Sequence, residues 1–397
     1  MQLAGGRKKP TMKRNALILG ARAPAALDHA RRFAHQGWNV AIADSIPCLI
    51  SGASHAVGTA LRIASPRHAP AQFVADLSRA CVDLAIDLIV PTCEEVFFVS
   101  RYRHLLPREV RVLADGFDKL RDIHSKWCFL SLARDCGAHV PESALVGSIE
   151  QARQWAGTKP IVLKPEFSRF GVHVRLYRDG IPHDAPALAP LGNWVAQAYV
   201  QGIEFCSYSV ADKGRLVAHS LYRPSWRMHR SSSFYFEPAS IDAVREFVTR
   251  FARRIDFTGQ LSFDWIQHPT GEVSVLECNP RATSGCHLFS LDDPLPAALE
   301  GTLGVCVEPV SPSPRMVGAV MLSAGLIDAV RRRDVRRWMR DYRRATDVIA
   351  VAGDRRPLGG AVLDLASYAR LALAQRCNMR EAATQDIEWD GQALPDL

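Results

Sequence analysis

Short apolar runs alternate with longer amphipathic stretches through the first third of the chain. Ala16 to Leu19 is a buried-strand pattern ending at Gly20, Pro24 to Gln36 has helical spacing and stops at Gly37, and Trp38 to Ala43 is a second strand. Further strands fit Ala60 to Ala64, Asp87 to Pro91 and Val110 to Ala114, with helices at about 70–84 and 95–104 between them. This β-α-β alternation predicts a parallel, doubly wound sheet. A helix from Ser125 to Gly137 follows, with Ser125 as N-cap and Gly137 as stop, and Ser148 to Gln151 is spaced as a capping box. The pattern then turns to strands: Ile161 to Lys164, Trp194 to Val200, and Phe205 to Val210. Arg223 to Phe236 is basic, aromatic and serine-rich, and reads as a loop too long for a simple turn. After a helix at about 240–254, Leu261 to Ile266 and Val273 to Cys278 flank His268-Pro269-Thr270-Gly271, which predicts a β-hairpin. Residues 324–345 and 359–384 read as helices.

That hairpin carries the most chemistry. Glu277 and Asn279 share one strand face, and an antiparallel partner brings Asp264 to the same side. Three oxygen donors on a rigid surface suit Mg²⁺, and Arg281 adds a planar cation suited to phosphate or carboxylate. The plain alternative is a solvated acid beside an ordinary Asn-Pro turn. Lys126 sits in a first helical turn, where a cation opposes the helix dipole; an anionic partner or simple solvation would both account for it. Lys164 is the one charge on an apolar strand, read either as a functional cation or as edge protection. Glu166 to Val174 is a polar turn that would offer backbone N–H groups to phosphate, or a plain hairpin loop. Gly20-Ala-Arg-Ala-Pro24 lacks the later glycines of a dinucleotide fingerprint, so Asp44 is not read as a ribose-binding acid.

Composition changes this picture little. With 397 residues, 48% apolar and 23% charged, the chain is long enough for two or three domains with a real core. The longest apolar stretch, Val317 to Val330, carries Ser323 and Asp328, and the basic N-terminus lacks a signal-like apolar segment. A cytoplasmic protein without a membrane span is expected. Ten scattered cysteines include no Cys-x-x-Cys pair, which argues for reduced thiols rather than zinc or disulfides. The net charge of +8 is concentrated: residues 1–14 carry +5 and Arg331 to Arg344 carries +6, leaving −3 elsewhere. The first segment reads as a disordered tail with Met12 as an alternative start, and the second as a solvated helix face, with nucleic acid disfavoured as a partner.

Taken in order, strand-Lys-Pro, the polar turn, Gln-Ala-Tyr-Val-x-Gly-x-Glu, and Asp264 spaced ahead of Glu277-x-Asn-Pro-Arg resemble the ATP-grasp superfamily, nearest to carboxylate–amine ligases and carbamoyl-phosphate-synthase-like proteins, over about residues 15 to 310. The resemblance implies an α/β protein with a Rossmann-like domain at 15–118, a two-lobed ATP-grasp domain at 119–310 and a mainly helical region at 311–397. Lys126 and Lys164 would contact ATP phosphates, Ser168 to Gly171 would fold over them, Gln197, Ala198, Tyr199 and Val200 would read adenine, and Glu204 would take the ribose. Asp264, Glu277 and Asn279 would hold two Mg²⁺, with Mn²⁺ an expected substitute, and Arg281 would steady the transferred phosphoryl group. The phosphate turn, Glu166-Phe-Ser-Arg-Phe-Gly171, is bulkier than the family norm, which would either alter lid closure or place Arg169 on the substrate, and Ala198 replaces a commonly acidic residue.

The implied reaction activates a carboxylate as an acyl phosphate and joins it to an amine, with both substrates small molecules. Arg223, Arg227 and Arg230 are the candidates for gripping the acid; the alternatives are a surface loop whose arginines only keep it soluble, or a cover over the ATP phosphates. Other ATP-grasp phosphotransferases or carboxylases, or a non-catalytic nucleotide-binding regulator, are the alternatives, and a homodimer stays open as an assembly state.

Overall fold

The computed structural model describes residues 13–169, 173–227, 233–310 and 312–397. Five parallel strands form the first sheet: β1 (Asn15–Leu19), β2 (Asn39–Asp44), β3 (Thr59–Arg62), β4 (Leu88–Val90) and β5 (Arg111–Val112), in the order β3-β2-β1-β4-β5. The sense of strand succession reverses between β1 and β4, the position at which open parallel sheets take their ligands. The chain leaves β1 at Gly20 with φ +68°, where a Cβ would lie 2.7 Å from the Thr92 hydroxyl, so only glycine fits. Asp44 is not free for a ribose. Its carboxylate accepts from Arg22 Nε at 3.0 Å, and Arg22 also grips Asp386 at 2.6 Å.

A four-stranded antiparallel sheet follows, made of β6 (Ser143–Val146), β7 (Ile161–Pro165), β8 (Arg175–Tyr177) and β9 (Trp194–Ala198) in the order β6-β9-β7-β8. Lys164 therefore lies on an interior strand and protects no edge. The capping box ahead of helix Ile149–Ala156 is half formed: Ser148 accepts from Gln151 N–H, but the Gln151 side chain takes the Gly147 N–H instead of that of Ser148.

The largest sheet contains β10 (Ile203–Asp212), β11 (Arg215–Arg227), β12 (Ser233–Ala239), β13 (Gly259–Gln267), β14 (Val273–Asn279), β15 (Arg315–Met316) and β16 (Thr346–Asp347), ordered β14-β13-β10-β11-β12-β15-β16. Helix Asp242–Arg254 covers it, packing Phe247 and Phe251 against Phe263 and Trp265 at ring separations of 5.3 to 5.7 Å. The described parts of 223–236 are not loop. Arg223 pairs with Glu237 and Trp226 with Tyr235 across β11 and β12. Bulges at Pro224 and Trp226 break the alternation that would otherwise have announced two strands. His229 and Arg230 lie outside the described residues, as does Gly171.

The C-terminal region mixes helices with two strands that extend this sheet. The expected 324–345 helix is two helices, Leu326–Arg331 and Val335–Arg344, broken where Arg333 takes φ +57°. Trp338 and Tyr342 face a core with Trp226 and Tyr235, while Arg337 and Arg340 reach the buried Asp341. The remaining arginines described in this run are exposed or half-buried. Helices Arg356–Gln375 and Met379–Thr384 then return the chain to the first sheet, where Trp389 is 2% exposed beside Phe97 and Phe117. All ten cysteines are unpaired, and no helix among the described residues is long and apolar enough to cross a membrane.

Candidate active site

The β13–β14 hairpin forms around the expected turn: His268 N–H donates to Glu272 O at 2.8 Å, and Gly271 takes φ +91°. Register places Asp264 opposite Glu277 and Ser262 opposite Asn279, so Asp264, Glu277 and Asn279 share one face. Two lysines converge there from other elements. Lys126, at the first position of helix Lys126–Asp135, and Lys164, on β7, place Nζ 3.8 and 3.9 Å from Glu277 Oε2. Ser125 caps the helix by accepting from Cys128 N–H, and Lys126 Nζ donates to the Ser168 carbonyl at 2.7 Å. Lys164 Nζ donates to Leu276 O at 3.4 Å.

Burial dominates the electrostatics. It pulls Lys164 down to about 8 against the attraction of Glu277, and it also lowers Lys126. Burial works to raise Glu277, yet Lys126 and Lys164 together hold it below the usual carboxylate range. Asp264 is raised, first by burial and then by the facing charge of Glu277. Two facing carboxylates with long ion pairs, beside an amide oxygen and with no sulfur or imidazole in the predicted donor set, fit a hard divalent cation such as Mg²⁺.

The other predicted residues divide. Arg281 lies beside this face, with Nη2 3.4 Å from Asn279 Oδ1 and Nε 3.7 Å from Glu94 Oε1. Glu204 and Arg227, expected to serve different ligands, form an ion pair with each other, and Arg227 acts electrostatically on Asp264. Arg223 is exposed. At the end of β9 the Ala198 and Tyr199 N–H groups donate to Glu142 O and Pro160 O, Gln197 donates to the Ser143 hydroxyl, and Val200 is half-buried. Arg169 is not available to a substrate: its side chain is buried against Glu94, Glu388 and Asp390 at 2.6, 2.8 and 3.0 Å.

Matching this arrangement against solved structures decides the fold. The chain has the ATP-grasp fold. It is similar to N5-carboxyaminoimidazole synthetase from Staphylococcus aureus complexed with ADP (17% identity, TM-score 0.58, 80% of this chain and 87% of that one), and to L-amino acid ligase from Bacillus licheniformis (14%, 0.56, 77% and 80%). Phosphoribosylamine–glycine ligase from Thermotoga maritima matches at 16% identity and TM-score 0.57, over 76% and 80%. No protein-family model matches the sequence, and no curated protein does.

Three residues around this site were not singled out from the sequence. Glu94, just past β4, joins Arg169 to Arg281. Cys206 lies opposite Asp264 on β10, its thiol pushed well up by burial and by that carboxylate. His124, beside Phe97 and Phe167, is held well below the ordinary imidazole range by burial and then by Lys126, Arg169 and Arg281. Only the run of acids at Glu94 and Glu95 after an apolar strand offered a signal, and it is a common one.

Proposed function

We propose that the protein is an ATP- and Mg²⁺-dependent ligase that activates a carboxylate as an acyl phosphate and joins it to an amine. The observation that carries this reading is the convergence of Lys126 and Lys164, from separate elements, on Glu277 within an acidic face. Attack of one anion on another requires negative charge to be neutralised, and two buried ammonium groups plus Arg281 supply fixed positive charge there. Mg²⁺, held by Asp264, Glu277 and Asn279, would add charge neutralisation at the phosphates. Gln197 to Val200 and Glu204 would position the base and ribose, Ser168 lies next to Lys126, and Arg227, tied to Glu204, sits at the same end of the site. Arg223 and Arg230 remain candidates for the acid. The domain limits proposed for this enzyme are 15–118, 119–310 and 311–397.

The neighbouring structures support this reading, since the Bacillus licheniformis and Thermotoga maritima proteins are named as ligases and the Staphylococcus aureus protein is solved with ADP. The test is ADP release by the purified protein with Mg²⁺ and ATP against pools of amino acids and small carboxylic acids. Release that requires both an acid and an amine is expected. Release with bicarbonate alone would move the reading to a carboxylase, and no release with any pool would remove it.

A further inference from the structure

The last turns of the chain lie against the carboxyl ends of the parallel strands. Asp386 is gripped by Arg22, which follows β1, and Ser65, beyond β3, donates to its carbonyl. Arg67 donates to Glu388 O and pairs with Asp390 at 2.9 Å, and Trp389 N–H reaches Glu94, which follows β4, at 3.5 Å. The segment thus fills the face where an open parallel sheet ordinarily receives a ligand. It also grips the phosphate turn on both sides of Ser168. Phe167 meets the Trp389 ring at a centroid distance of 5.0 Å, and Gly391, at φ +87°, lies so close that a Cβ would fall 2.5 Å from the Phe167 ring. Arg169 donates to Trp389 O at 3.1 Å and pairs with Glu388 and Asp390. The carbonyl between these two side chains is the acceptor of Lys126 Nζ. Glu166, one step earlier, binds the Ser125 hydroxyl and takes the Lys126 N–H at 3.2 Å.

We propose that the C-terminal segment 386–391 is a clamp for the active site, with Arg169 and Trp389 as positioning residues that hold Ser168 and, through it, Lys126 beside Glu277. Arg169 on this account never touches nucleotide. Its guanidinium is ion-paired with three carboxylates, which a planar, delocalised cation can span and the point charge of a lysine cannot. The kinetic part of the proposal rests on the ligase reading above; the mechanical part does not.

The decisive variant is Glu388→Gln with Asp390→Asn, which removes two counter-charges at partly exposed positions and spares the core. Amide hydrogen exchange in the full chain should accelerate at 125–128 and 166–169, and turnover should fall about tenfold, the effect of removing one charge-assisted hydrogen bond. Arg169→Lys should do the same. Unchanged exchange in both segments overturns the clamp whatever the protein's reaction is. Faster exchange with unchanged kcat and ATP KM overturns the positioning role and leaves a structural one. If Arg169 were instead a phosphate ligand, freeing it from two acids would lower the ATP KM, and that result also overturns the proposal. A parent protein that releases no ADP with any substrate pool, while the exchange effect is present, removes the ligase reading and the kinetic half with it.

Discussion

Glu277 takes two ammonium groups at 3.8 and 3.9 Å while facing Asp264 across the hairpin. Replacing it by Gln keeps the shape and removes the charge that Lys126 and Lys164 face. Turnover is expected to fall about 10²–10³-fold, the usual loss when one charge-stabilising group leaves such a centre. Circular dichroism should stay near that of the parent, with a lower unfolding midpoint because two buried ammonium groups lose a counter-charge, and near-normal Mg²⁺-dependent turnover would refute the assignment. Asp264, Glu277 and Asn279 were legible because strand alternation puts Glu277 and Asn279 on one face and the hairpin brings Asp264 opposite Glu277. Arg169 was misread. Its partners Glu388 and Asp390 lie more than two hundred residues away, and nothing local distinguishes an arginine that meets phosphate from one that meets carboxylates.

Between single residues and the whole fold stand the strand pairs. Glu204 is the second residue of β10 and Arg227 the last of β11, and their ion pair makes them one unit. Glu204→Ala should raise the ATP KM with kcat nearly unchanged, because ribose contacts are alike in ground and transition states. Arg227→Ala should raise the same constant, and the double variant should be no worse than the weaker single one. Additive effects in that cycle, or an Arg227→Ala change confined to the acid KM, would show two separate functions. The β13–β14 hairpin was readable from its Pro-Gly turn and the apolar runs on either side, although it too carries an irregularity between Asp264 and Trp265. The β11–β12 arms were not, because Pro224 and two bulges shift the register where Arg and Ser are dense.

At the scale of the molecule, the parallel sheet is joined to the largest sheet through buried polar contacts. Gln260 on β13 donates to Pro91 O at 2.7 Å, and its carbonyl accepts from Tyr208 at 2.8 Å and lies 3.2 Å from His29 Nε2. Burial pulls His29 down to about 4, so it stays neutral in the fold while the unfolded chain takes up its proton near pH 6.5. The unfolded state therefore binds more protons across this window, and the His29 contribution to stability is lost as pH falls from about 6.5 to about 4. Glu95, lifted by burial to about 7, pulls the other way, so the comparison of parent with His29→Asn isolates the histidine. In urea unfolding the parent should lose on the order of 3 kcal/mol relative to the variant over that range. A pH-independent difference would contradict the assignment. The parallel sheet was legible from apolar runs between helices, whereas the return of the C-terminus onto it depends on contacts between distant segments that no periodicity encodes. The central claim, activation of a carboxylate by phosphoryl transfer, is tested most directly with acid substrate labelled with ¹⁸O in its carboxylate. Transfer through an acyl phosphate carries one labelled oxygen into the released phosphate for each ADP formed, and that is the result expected. ADP formed with unlabelled phosphate in the presence of the consumed acid would contradict it.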